Sequence, residues 1–215
     1  MKKQFTCVDL FSGAGGLSRG FYDAGYNVVL GVDFDDAALQ TFKANHGNAE
    51  AMKLDLFDHN NINVIVDFLK EKNIELDVLV GGPPCQGFSI AGPRDMNDKR
   101  NTLYLAMVKL AATLKPQAVV LENVPGMLQT NGGIGAKRII EDFAEIGYKM
   151  TPKLLYAPDY GIPQIRKRVF FVGLRDSENA FEFPEPFVDS KDYVTCEDAI
   201  SDLPSLQTSD GEIVY

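Results

Sequence analysis

Apolar residues fall into short runs that stop on glycine or a carboxylate, and these runs alternate with stretches whose apolar positions recur every three to four residues. The runs at 5–11, 28–33, 51–56, 76–80 and 118–122 are short and rich in β-branched residues, so they predict strands. The stretches at 17–24, 36–45, 62–72 and 100–113 predict helices. In 62–72, Ile62, Ile65, Val66 and Leu69 share one face; in the next helix Leu103, Met107, Leu110 and Leu114 do. A further helix at 135–146 ends at Gly147, and two strands follow at 148–156 and 169–174. The loop 157–167 has no helical pattern, which predicts an antiparallel hairpin at one edge of the sheet. Strands alternating with helices at this spacing predict an α/β fold with a doubly wound, mostly parallel sheet. Beyond residue 181 the chain becomes proline-punctuated and acidic, and 182–215 reads as a tail.

At 215 residues the chain can bury one substantial core. No apolar run approaches membrane-spanning length, and residues 1–5 lead straight into a strand, so a cytoplasmic protein is expected. Cys7, Cys85 and Cys196 are scattered, odd in number and without metal spacing, which points to free thiols and to no metal site. The formal charge of -9 removes bulk electrostatic attraction for nucleic acid, though a few local arginines could still hold one extruded nucleotide.

The candidate chemistry clusters where strands end. The strand Leu76-Asp-Val-Leu-Val80 breaks into Gly81-Gly-Pro-Pro-Cys85, which places a thiol just past a strand's carboxyl end, where open α/β sheets bind ligands. Pro83 and Pro84 stiffen the approach, while Gly87 and Gly92 let the following loop bend. A cysteine can also simply fill space in a core. The turn Gly13-Ala-Gly15-Gly16 opens a helix, and Asp33 ends the next strand, an arrangement that suits a nucleoside-containing ligand. Ser18 occupies the third glycine position of the dinucleotide fingerprint, and with Asp33 and Asp55 this favours an adenosyl cofactor over NAD. Glu122 ends a buried strand, where partial desolvation lets a carboxyl act as an acid; alone it reads equally as a cap or an ion-pair partner. Arg166-Lys-Arg168 could be a solvated face, or could orient an electron-rich substrate and hold Cys85 as thiolate.

The ordered set Asp9-Leu-Phe-Ser-Gly-Ala-Gly-Gly16, Gly82-Pro-Pro-Cys-Gln-Gly-Phe-Ser89, Glu122-Asn-Val124 and Gln164-Ile-Arg-Lys-Arg168 closely resembles the DNA (cytosine-5) methyltransferase family. The resemblance spans about residues 5–174 and returns faintly at Thr195-Cys-Glu-Asp-Ala-Ile200. It implies a Rossmann-like class I S-adenosylmethionine-dependent methyltransferase fold, with residues 1–181 as catalytic domain and 182–215 leading toward a target recognition domain. Phe11, Gly13, Gly15, Asp33, Phe34, Asp55, Pro83 and Leu103 are then expected to bind S-adenosylmethionine. Asp33 would hold the ribose, Phe34 would lie against the adenine, Asp55 would face its amino group, and Leu103 would lie near the methionine end. Cys85 would be the nucleophile toward carbon 6 of cytosine, with Pro84 shaping its turn and the loop 87–99 as its cover. Glu122 would bind nitrogen 3 and the exocyclic amine, and Arg166 and Arg168 would contact the base. The implied partner is double-stranded DNA with a flipped cytosine, in a nucleoid-associated enzyme of a restriction-modification system, and the recognition region would lie either in further polypeptide of the same protein or in a second chain.

Three other readings stay open at this point. An RNA cytosine-5 methyltransferase would keep all four motifs. A non-catalytic adenosyl-binding subunit of a split enzyme would need neither Cys85 nor Glu122, and a nicotinamide dehydrogenase would need no such thiol.

Overall fold

The computed structural model describes residues 4–84 and 102–203. Seven described strands form one sheet: β1 (Thr6–Leu10), β2 (Asn27–Asp33), β3 (Glu50–Lys53), β4 (Val78–Gly81), β5 (Ala118–Asn123), β6 (Tyr148–Tyr156) and β7 (Lys167–Arg175). Their order is β3-β2-β1-β4-β5-β7-β6. The pairs β1–β2, β1–β4, β2–β3 and β4–β5 are parallel, and β5–β7 is antiparallel. The chain thus builds outward from β1 in one direction and then, from β4, in the other. Such a reversal leaves a crevice at the carboxyl ends of β1 and β4, where open sheets of this class hold their ligands.

The two faces of the sheet are covered separately. Helices α1 (Gly16–Asp23) and α2 (Asp36–Asn45) cover one face, where Phe42 packs with Cys7, Val28 and Val80 and with Leu17 and Phe21. Gly31 lies directly under the Phe42 ring, because a Cβ there would approach the ring Cζ to 2.3 Å. Deleting a ring seated this closely costs about 3–5 kcal/mol. Helices α3 (Asn61–Glu71), α4 (Tyr104–Leu114) and α6 (Ile134–Glu145) cover the opposite face, with Ile65, Leu69, Met107, Leu110, Ile139 and Phe143 all within 1% of complete burial. Strands buried on both faces read as continuous apolar runs, which is why they stand out in the sequence.

Local departures from the sequence reading have local causes. The third strand stops at Lys53 rather than Leu56, because after a last bond from Leu54 N–H to Asp33 O the Asp55 carboxylate closes a turn by accepting Phe57 N–H at 2.9 Å. Described α4 begins at Tyr104 with Leu103 at its N-cap, and it ends where Lys115 adopts a left-handed φ of 51° ahead of Pro116. A short helix α5 (Gly126–Gln129) and a 3-10 turn at Thr130–Gly133 fill the span before α6, which the sequence pattern leaves blank.

The chain divides into two compact units, residues 1–154 with 168–183 and residues 155–167 with 184–215. In the second unit Asp159 gathers the chain. Its carbonyl accepts Phe187 and Val188 N–H, and its carboxylate accepts the Tyr193 hydroxyl. Tyr160 packs edge-on against Phe187 at 5.9 Å, as does Tyr156 against Tyr193 at 6.0 Å. Where the sequence reading has a tail, a helix α7 (Cys196–Ile200) starts from a Thr195/Asp198 capping box. No helix among the described residues is long and apolar enough to cross a membrane.

Candidate active site

The crevice begins with the turn that follows β1. Phe11 takes a left-handed φ of 61°, a costly conformation for an aromatic residue and one that collects at functional sites. Gly13 and Gly15 follow at φ 54° and 92°. Neighbouring strands hold this turn. Ser12 N–H bonds Val32 O at 3.0 Å, and Gly13 N–H bonds Asp33 Oδ2 at 2.8 Å. Asp33 Oδ1 accepts two further backbone donors, Phe34 N–H at 2.7 Å and Asp35 N–H at 3.0 Å. A carboxylate offers about four acceptor positions, so Asp33 fixes the turn with three and keeps roughly one for a ligand. The turn delivers the chain into α1, whose first turn carries neither an acid nor a side-chain cap, so its N–H groups face outward with the positive end of the helix dipole.

A cavity of about 470 Å³ lies beside this turn. Phe11, Phe34, Phe57, Leu54, Leu56 and Leu103 give it apolar walls, Asp33 and Asp55 its carboxylates, and Gly82 and Pro84 its border from β4. Phe34 is 70% exposed and Phe57 48% exposed, so both lie at the rim. Flat apolar walls with two acceptors match a nucleoside, which stacks through its base and donates from ribose hydroxyls and an exocyclic amine. Where β1 meets the turn, Asp9 Oδ1 and Ser12 Oγ are buried without a hydrogen-bond partner among the described residues. Buried polar atoms normally have partners. The cavity's own walls and carboxylates, at this volume, fit an adenosyl ligand. Asp9 Oδ2 accepts the Ser18 hydroxyl at 2.6 Å, and burial pushes the Asp9 carboxyl up to about 7.

The adjoining edge is formed by β4 and β5. Glu122 Oε1 accepts from Arg168 Nε at 2.9 Å, with side chains 23% and 27% exposed. A Cβ on Gly82 would lie 3.4 Å from Glu122 Oε2, so a glycine there leaves the carboxylate facing the chain three residues before Cys85. Asn123, 4% exposed, donates from Nδ2 to Pro83 O at 3.0 Å and accepts Val124 N–H at 2.9 Å, tying the proline turn to the end of β5.

Of the residues named from the sequence, Phe11, Asp33, Phe34, Asp55 and Leu103 line one cavity, and Gly13 and Gly15 shape the turn beside it. Pro84 borders the cavity, while the Pro83 carbonyl is turned to Asn123. Glu122 and Arg168 come together. Arg166 belongs to the second unit, where it is exposed and its carbonyl accepts Ala157 N–H at 2.9 Å. Cys85, the cover loop 87–99 and the residues Arg100 and Asn101 lie outside the described residues. Sequence reasoning missed Phe57, Asn123, the Asp9–Ser18 pair and a buried histidine, His46. The signals within reach were the aromatic two places past Asp55, the polar residue next to Glu122, and the serine in a glycine position; His46 has none.

Comparison with known proteins identifies the family. The family described as C-5 cytosine-specific DNA methylase matches residues 5–213. The Type II methyltransferase M.DdeI of Desulfomicrobium norvegicum is 38% identical over 95% of this chain and 49% of its own length. The Type II methyltransferase M.AquIA of Picosynechococcus is 34% identical, and there the match covers 92% of this chain and 88% of the relative. A solved E. coli structure assigned as a prophage-encoded DNA modification methyltransferase superposes with a TM-score of 0.78 at 33% identity, covering 94% of this chain and 56% of that one. The chain spans about half the length of several of the curated relatives it matches.

Proposed function

This chain belongs to the C-5 cytosine-specific DNA methylase family, and on that premise we propose that it transfers a methyl group from S-adenosylmethionine to carbon 5 of cytosine in DNA. The observation that carries the reading is the Glu122–Arg168 pair at 2.9 Å, set at the same sheet edge as the aromatic and carboxylate cavity around Asp33 and Asp55.

Carbon 5 of cytosine is too weak a nucleophile to take a methyl group unaided. In the proposed sequence the Cys85 thiolate forms a bond to carbon 6 while Glu122, steadied by Arg168, supports a proton on nitrogen 3. The ring electrons then move to carbon 5. S-adenosylmethionine, when bound, supplies an electrophilic methyl group on its sulfonium sulfur. Once carbon 5 is methylated it gives up its hydrogen as a proton, and the electron pair restores the ring double bond as the carbon–sulfur bond breaks and returns the thiolate. Phe11, Phe34 and Leu103 pack the cofactor, Asp33 and Asp55 accept from its ribose and its adenine amine, Gly13 and Gly15 bring the backbone close, and Pro83 and Pro84 hold the nucleophile's turn. Arg166 and Arg168 contact the base. A base stacked in a duplex cannot reach such a crevice, so the cytosine is flipped out at a cost of a few kcal/mol.

The residues that read the DNA sequence and grip its phosphates are proposed to come from polypeptide other than residues 1–215, either further along the same protein or in a second chain. With 30 acids against 21 bases, this chain offers phosphate no bulk attraction. The setting proposed is a nucleoid-associated cytoplasmic enzyme of a restriction-modification system. The test is transfer of labelled methyl from S-adenosylmethionine to unmethylated DNA, with the chain alone and with candidate partner chains from the same source. Label in DNA, reduced at least a hundredfold in Glu122→Gln, supports the reading; label in RNA and none in DNA overturns the substrate, and equal transfer by Glu122→Gln overturns the mechanism.

A further inference from the structure

His46 closes α2 at its C-cap, 5% exposed, with its ring against Phe42 at a centroid separation of 4.7 Å. Its Nε2 lies 3.1 Å from the carbonyl of Gly15, across 31 residues of sequence. A carbonyl only accepts, so Nε2 carries the hydrogen. The ring also lies on the Gly15 Cα: a Cβ there would sit 2.4 Å from Nε2 and 2.6 Å from Cδ2. Gly15 O meanwhile accepts Arg19 N–H at 2.8 Å, the first helical bond of α1. One carbonyl therefore takes two donors. Each polarises the peptide unit, and the same unit carries the N–H of Gly16, the first residue of α1, which no helical carbonyl can take.

We propose that His46 is a positioning residue for the cofactor turn: by donating to Gly15 O it fixes the orientation of the Gly15–Gly16 peptide and strengthens the Gly16 N–H as a donor to an anionic or carbonyl group of the bound cofactor. The inference rests on the adenosyl-methyl-transfer reading above and adds to it a residue outside the cavity. A histidine suits the place because a flat ring fits against both Phe42 and a glycine Cα while carrying its donor at the far end. Phenylalanine keeps the ring and loses the donor. Glutamine keeps a donor at nearly the same reach, whereas asparagine falls short of it.

The experiment measures the dissociation constant for S-adenosylhomocysteine by calorimetry, the thermal midpoint, and the Gly16 amide resonance in glycine-labelled protein, for wild type, His46→Phe and His46→Gln. The expected result is binding weakened about tenfold in His46→Phe and within about threefold of wild type in His46→Gln. The Gly16 proton should move upfield in His46→Phe alone, before any ligand is added. Two variants that bind like wild type overturn the inference. So does His46→Gln losing as much affinity as His46→Phe, because then the ring only packs. Wild-type protein that binds no S-adenosylhomocysteine overturns the functional reading itself, and the inference with it.

Discussion

Asp9→Asn isolates the cost of a carboxyl placed inside the sheet. Asp9 is 1% exposed, its Oδ2 takes the Ser18 hydroxyl, and its Oδ1 has no partner among the described residues. Burial raises the acid from an ordinary 3.8 to about 7, against the opposing hydrogen bonds from Ser18, with Asp33 adding a smaller push upward. The folded state therefore holds a proton that the unfolded chain has released. The contribution is fully present below about pH 3.8 and is lost as pH rises through 7. At about 1.36 kcal/mol per unit the whole shift is worth at most about 4 kcal/mol, of which some 2.5 kcal/mol falls between pH 5 and 8. Asparagine keeps the shape and cannot ionise. Urea unfolding of wild type and Asp9→Asn at pH 5, 6, 7 and 8 should show the variant gaining about 1–3 kcal/mol on wild type across the series, most of it below pH 7. Parallel pH profiles, or a wild type that gains on the variant as pH rises, would refute the reasoning.

Two further predictions concern residues the sequence left unmarked. Asn123→Ala strands the buried Pro83 carbonyl and should lower the unfolding free energy by about 1–3 kcal/mol in urea; full stability would mean that the 3.0 Å bond to Pro83 O contributes nothing. Phe57→Ala removes a rim wall of the cavity, and calorimetry should show S-adenosylhomocysteine bound about three- to tenfold more weakly at an unchanged thermal midpoint. Unchanged affinity there would mean that Phe57 does not touch the ligand.

The strands and helices were largely legible because each carries its own punctuation. β2 runs apolar from Val28 and ends on Asp33, and β5 runs from Ala118 to Glu122 and Asn123. Strand order was legible only in outline: the placement of β7 between β5 and β6 depends on pairings such as Glu122 with Phe170, which join residues 48 apart. The cavity was legible because its residues follow strand ends, where local pattern and function coincide. His46 was not, since its meaning comes wholly from Gly15 and Phe42, one of them on a different element. Helix α7 was missed although Thr195 and Asp198 spelled a capping box, because the surrounding prolines and acids suggested chain without structure.

The central claim is that Cys85 attacks carbon 6 and Glu122 supports the ring. The most direct measurement incubates the chain, with S-adenosylmethionine and any partner chain needed for DNA binding, on duplex DNA containing 5-fluorocytosine, whose carbon 5 has no proton to release. Mass spectrometry of the product is predicted to find the methylated base joined to the peptide that carries Cys85, with the adduct absent in Cys85→Ser and scarce in Glu122→Gln. Methyl transfer to ordinary cytosine by Cys85→Ser at the wild-type rate, or an adduct on Cys7 or Cys196 instead, would contradict it.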